Sequence, residues 1–256
     1  MIVSHRNRFA FIHIPKCAGT ALRAPLEPLQ EEPEFSQGGA QDHPGLGRVD
    51  IAHVPLATLA DHWPNLFETL RAYRLFAVLR DPVERFGSAM GQHAQMYRDQ
   101  PIERMEKGEL RALLGDIIER LDGARTGMLP AELIHFQPQV DYVEWDGQSL
   151  VDNLYDVSHA GRALRDIGQL MSDGSLRATH TLPEGNRGMI PRSRAAGLAW
   201  KVAKRLPVLR RSAQSLLLRR RQEALLPMLR EARIAAFLKD YYRRDFALHF
   251  ELEERS

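Results

Sequence analysis

Short, wholly apolar runs alternate along this chain with longer stretches in which apolar residues recur every three or four positions. Phe9, Phe11, Ile12 and Ile14 make the first run, and Leu75 to Leu79 make the second. Runs of this length suit strands covered on both faces of a parallel sheet. The pattern predicts strands near 8–14, 49–54, 74–79, 140–145 and 150–157. It predicts helices near 20–29, 55–71, 82–98, 101–122, 158–172 and 229–250. Strands alternating with helices imply an α/β domain.

Residues 30–48, rich in Glu, Gly, Gln and Pro, read as a mobile loop. Asp146-Gly147, between Trp145 and Gln148, is the turn signal of a β-hairpin. Residues 185–222 break the pattern. They carry Arg187, Arg192, Arg194, Lys201, Lys204, Arg205, Arg210, Arg211, Arg219, Arg220 and Arg221 without a single Asp or Glu, interleaved with Leu198, Trp200, Leu206, Leu209 and Leu216. Pro207 divides this stretch into two expected helices. Net charge over the whole chain is only +2, so positive charge is concentrated here. Three uses fit such a segment: a face for an anionic membrane, a grip on a polyanionic acceptor or cover for a nucleotide pocket, and a solvated helical lid. No nucleic-acid recognition motif accompanies the charge, so no nucleic-acid partner is expected.

The 256 residues are 44% hydrophobic, enough to bury a full core in one domain. Cys17 is the single cysteine, which excludes an internal disulfide framework and fits a reducing compartment. No apolar run reaches the ~20 residues of a membrane span. With the first strand entered by Phe9, no signal peptide is expected. The expected location is cytoplasmic, with peripheral contact at the inner membrane through 185–222.

Candidate chemistry lies at the ends of the two apolar runs. Phe9 to Thr20 reads as strand, tight turn and helix start. Backbone N–H groups at such a turn, with the positive end of the following helix, seat an anion, and Lys16 adds a full charge. The loop is not a Walker A motif, whose Lys follows the last Gly and precedes Ser or Thr. Here Lys16 comes before Gly19, although Thr20 still follows it. The alternative is an ordinary β-turn with an exposed Lys. Arg80 ends the second run, with Asp81 as N-cap and Pro82 in the first helical turn. Glu84, Ser88 and Gly91 share one side of that helix. Ligands of open α/β sheets bind beyond the carboxyl ends of strands, so the two ends offer two phosphate sites on one edge. A local Arg80–Asp81 ion pair is the alternative there.

Together the two segments resemble the PAPS-dependent sulfotransferases (PAPS is 3′-phosphoadenosine 5′-phosphosulfate), in the membrane-type carbohydrate branch that includes heparan sulfate 2-O-sulfotransferase. Ile14 to Thr20 is similar to that family's 5′-phosphosulfate loop, and Arg80 to Ser88 to its 3′-phosphate segment. His135-Phe136-Gln137-Pro138-Gln139 and Tyr241 to Leu248 resemble two later blocks, in family order. The resemblance implies a P-loop-like three-layer fold with a central, mostly parallel sheet flanked by helices. Residues 1–256 would form one sulfotransferase domain, with 185–222 as a basic helical insertion. It also implies roles. Pro15, Lys16, Cys17, Ala18, Gly19, Thr20 and Ala21 would hold the 5′-phosphosulfate, Lys16 offsetting charge on the bridging oxygen. Arg80 and Ser88 would bind the 3′-phosphate, for which an Arg fork is well shaped. Asn186 falls near a family Asn of the donor site. Cys17 stands where many members carry Thr, which implies a weaker-binding or an oxidisable loop.

Sulfuryl transfer needs a base on the acceptor hydroxyl and positive charge on the leaving phosphate, and no metal. His53 is the candidate base, a neutral imidazole poised near pH 7. It matches a Gly-His segment of the 2-O-sulfotransferases, with Ala52 in place of the Gly. A structural His is the alternative. His13 is expected to pack, His93 to line the acceptor cleft and His135 to shape it. The function expected is transfer of a sulfuryl group from PAPS to a hydroxyl of a carbohydrate or lipid-linked acceptor. The rivals are a nucleotide kinase or NTPase and a non-catalytic, membrane-associated binding protein.

Overall fold

The two apolar runs become neighbouring parallel strands. In the computed structural model, residues 1–35, 38–171, 189–191, 193–203, 216, 218–220 and 223–254 are described. Strands β1 (Ile2–Ser4) and β2 (Phe9–Ile12) precede helix α1 (Gly19–Leu26). A hairpin of β3 (Gln41–His43) and β4 (Gly47–Val49) leads to α2 (Leu56–His62), α3 (Pro64–Arg71) and β5 (Arg74–Leu79). Helices α4 (Pro82–Tyr97) and α5 (Lys107–Asp122) follow. The small hairpin of β6 (Glu144–Trp145) and β7 (Gln148–Ser149) precedes β8 (Asn153–Asp156) and α6 (Ala160–Gly168).

Among the described residues the main sheet has the order β1-β2-β5-β8. Phe9 to Ile12 of β2 run parallel to Arg74 to Ala77 of β5, and Phe76 to Leu79 run parallel to Asn153 to Asp156 of β8. β1 pairs antiparallel with β2, Ile2 opposite Phe11. The architecture is thus α/β, with a central, mostly parallel sheet flanked by helices. A first core surrounds the sheet, from Phe9, Phe11 and Phe76 to Leu22, Leu59 and Leu164. A second holds α4 and α5 against the closing helices through Phe86, Leu114, Phe136 and Tyr242. Those closing helices are α8 (Leu226–Leu229), α9 (Ala232–Tyr241) and α10 (Arg243–Glu254), after β9 (Met189–Pro191), α7 (Arg194–Ala203) and β10 (Leu218–Arg220).

Several expectations need correction. Residues 49–54 are no sheet strand beyond Val49. The Asp50 carboxylate accepts the Ala52 N–H at 3.1 Å and caps a 3-10 turn at Ile51–His53. Residues 139–142 are likewise a 3-10 turn. The helix expected over 55–71 divides at Trp63, because Pro64 has no N–H to carry the ladder on and opens α3 instead. The closing helix over 229–250 is three helices, broken by extended backbone at Glu231 and a non-helical Tyr242. Part of 30–48 is ordered: Phe35 is buried against Trp63, their rings 5.3 Å apart, and β3–β4 follows. Within 185–222, β9 pairs antiparallel with β10, so its described ends form a ribbon rather than helix. Pro207 and Asn186 lie outside the described residues. Asp146 and Gly147, at φ 50° and 73°, form the turn that their sequence signals.

Candidate active site

The loop after β2 turns through two non-glycine residues at positive φ, Lys16 at 67° and Ala18 at 59°. Each costs roughly 1–2 kcal/mol, and such strain persists where surrounding contacts over-determine the backbone. Gly19 is not one of them. Its role is space: a Cβ there would lie 1.8 Å from His13 Nε2. The His13 ring, just beyond β2 and buried in line with the expectation that it packs, fills the volume that any side chain at 19 would take. Ala18 leads into α1 without a side-chain cap, and Thr20 is exposed in the helix's first turn. The half-buried Lys16 donates from Nζ to Gln92 Oε1 on α4 at 3.1 Å.

Cys17 points inward. Its Sγ is 3.2 Å from Gln139 Oε1, and it is 1% exposed. Burial pushes the thiol up to about 12. An un-ionised, sealed thiol is inert, so the oxidisable loop is corrected.

Arg80 directly follows β5 and Lys16 lies in the turn after β2, and the parallel register of the two strands places both at the carboxyl edge of the sheet. The Arg80 guanidinium is a quarter exposed and donates to Glu84 Oε2, one helical turn on, at 3.1 Å. Its Nε is buried with no hydrogen-bond partner among the described residues. Asp81, the alternative partner, instead caps α4, accepting the Glu84 N–H at 2.8 Å. Ser88 is half-buried on the same side of α4 as Glu84.

Gln139, which the sequence marked only as part of a supporting block, joins the two segments. Its Oε1 accepts the Arg80 N–H at 2.9 Å as well as the Cys17 thiol, and its Nε2 donates to the Arg80 carbonyl at 2.9 Å. Its own N–H donates to Asp245 Oδ2 of α10 at 2.8 Å. Asp245 faces Arg85 of α4 at 3.7 Å, both side chains fully buried. Arg85 also donates to the His135 carbonyl at 3.1 Å and lies over the Tyr242 ring. Closing helix, 135–140 segment and α4 are thereby tied together under the site.

Three histidines border the same edge. The His13 and His53 rings are 4.4 Å apart, and those of His53 and His135 are 5.6 Å apart. His53 Nδ1 lies 3.0 Å from the His13 carbonyl. A carbonyl only accepts, so Nδ1 carries the proton of the neutral ring and Nε2 the lone pair. Burial, then the His135 charge, lowers His53 to about 3. Burial and Lys16 bring His135 to about 4. His53 is therefore not poised near pH 7 but neutral throughout the physiological range. His93 does not line a cleft. It is 1% exposed, with Nδ1 at the Glu132 carbonyl and its ring against Phe136. Among the described residues, no group of three or more His, Cys, Asp or Glu converges as metal ligands would. None of the described helices is long and apolar enough to cross a membrane.

No curated protein and no solved structure matches the chain. Residues 1–116 match the model of the Sulfotransferase family. That stretch, less than half of the chain, holds the Lys16 loop, His53, Arg80, Ser88 and Gln92, so the likeness to the family covers those residues and not the remainder.

Proposed function

We propose that the chain transfers the sulfuryl group of PAPS to a hydroxyl of a carbohydrate or lipid-linked acceptor. The observation that carries this reading is the placement of the strained Lys16 loop and Arg80 at the carboxyl ends of adjacent parallel strands. The 5′-phosphosulfate would lie on the amides of Ala18, Gly19 and Thr20, in the nest made by the turn and the uncapped start of α1. The 3′-phosphate would take the buried, unpartnered Nε of Arg80 and the Ser88 hydroxyl.

The acceptor oxygen attacks sulfur in line, and the bond from sulfur to the bridging oxygen breaks. Adenosine 3′,5′-bisphosphate leaves with the electron pair. Lys16, turning from Gln92, offsets the charge growing on the bridging oxygen. The acceptor proton passes to the Nε2 lone pair of His53, with the ring held by its Nδ1 bond to the His13 carbonyl. An imidazole of such low proton affinity accepts only as the oxygen–sulfur bond forms and acidifies the hydroxyl. The basic, partly apolar α7, with Leu198 67% exposed, suits an anionic membrane surface beside a lipid-linked acceptor.

Thermal shift separates this reading from a kinase or NTPase. Adenosine 3′,5′-bisphosphate should stabilise the protein without magnesium, and Mg-ATP should not exceed it. Preference for Mg-ATP would overturn the assignment. Stabilisation by neither nucleotide, with binding to anionic vesicles, would favour a non-catalytic membrane protein.

A further inference from the structure

Within the donor site proposed above, one buried carboxamide touches both phosphate-binding segments. Gln139 meets the N–H and the C=O of Arg80 through Oε1 and Nε2, both at 2.9 Å, as a paired strand would meet the backbone where β5 ends. The same Oε1 takes the Cys17 thiol at 3.2 Å from inside the Lys16 loop. Asp245 fixes Gln139 from behind, accepting its N–H at 2.8 Å. Gln139 is 1% exposed, so water does not compete for these bonds.

We infer that Gln139 is a positioning residue that sets the span between the Lys16 loop and Arg80, and with it the preference for an adenosine bearing phosphates at both ends. The inference rests on the sulfotransferase reading. A ligand anchored at two ends gains the second contact in full only when the two seats are already held at its own length. A ligand anchored at one end needs no such ruler. Positive φ at Lys16 and Ala18 persists only under external restraint, and the Cys17–Gln139 bond is one such restraint. Loss of the carboxamide should therefore weaken a doubly phosphorylated adenosine more than a singly phosphorylated one. A merely structural role lowers the melting temperature without changing that ratio in the folded protein.

The test is calorimetric titration of adenosine 3′,5′-bisphosphate and of 5′-AMP into wild type, Gln139→Met and Cys17→Ala, each shown to be folded by circular dichroism. Gln139→Met should weaken the bisphosphate about tenfold, the scale of a lost buried hydrogen bond, and 5′-AMP by no more than about twofold. Equal weakening of the two nucleotides, or none, overturns the inference. Should Gln139→Met fail to fold, Cys17→Ala decides. It removes one weaker bond and should lower the preference about threefold, and an unchanged preference overturns the inference. The wild type separates the two levels of argument. If it does not prefer the bisphosphate, the sulfotransferase reading falls. If it does and the variants match it, only the role of Gln139 falls.

Discussion

Replacing His53 by Asn should flatten the acid side of the stability curve. The unfolded imidazole titrates near 6.5, whereas burial and the charge of His135 hold the folded one to about 3. Between those values the unfolded chain takes up a proton that the native one refuses. Stability is thus complete above pH 6.5 and is lost as pH falls toward 3. Each pH unit within that window removes about 1.4 kcal/mol per such group, so His53 alone costs about 2 kcal/mol between pH 8 and pH 5. The Asn amide can still donate to the His13 carbonyl but does not titrate. Urea unfolding of both proteins at pH 8 and pH 5 gives the comparison. Wild type should lose about 2 kcal/mol more than His53→Asn over that interval. His13 and His135, also lowered by burial, remain in the variant and make both curves fall. Equal losses in the two proteins would refute the claim that His53 is buried neutral. The same titration bears on turnover, because a base neutral at pH 6 puts no limb near 6.5 in the kcat/KM profile of the folded enzyme.

Other outcomes test the rest of the site. Lys16→Ala should lower kcat more than about a hundredfold in a labelled-donor transfer assay, because the charge that it supplies is needed only as the phosphate leaves. Arg80→Ala should instead weaken adenosine 3′,5′-bisphosphate about tenfold or more by calorimetry, with a smaller effect on kcat at saturating donor. Gly19→Ala should cost about 1–3 kcal/mol in urea unfolding through collision with the His13 ring, and His13→Ala in the same chain should restore part of the loss. Arg85→Met should cost about 3–5 kcal/mol, read the same way, because it strands the buried Asp245 carboxylate.

What could be read from the sequence was what neighbours in sequence decide. The strand, turn and helix around Lys16 declare themselves within a dozen residues, and so do the apolar run to Leu79 and the Asp81–Pro82 helix start. The Asp146-Gly147 hairpin is equally local. What stayed hidden depends on distant partners. Gln139 reaches Arg80 across 59 positions, and Asp245 reaches Gln139 across 106. No spacing rule marks such pairs. The tight turn before α1 is legible, but not which residues carry it: the positive φ belongs to Lys16 and Ala18, and the reason for Gly19 is the ring of His13. The strand expected over 49–54 stops at Val49, because Asp50 offers the Ala52 amide a side-chain partner. β1 was missed because Ile2 and Val3 are too few to show a period and are held by pairing with β2.

The sealed thiol of Cys17 has a practical consequence. Because the sequence has no other cysteine and this one is un-ionised at working pH, maleimide reagents should leave the native chain unmodified. A cysteine introduced at an exposed position, such as Thr20→Cys at the mouth of the loop, would then be the sole reactive handle. A fluorophore attached there could follow donor arrival in real time, with no background mutations to remove.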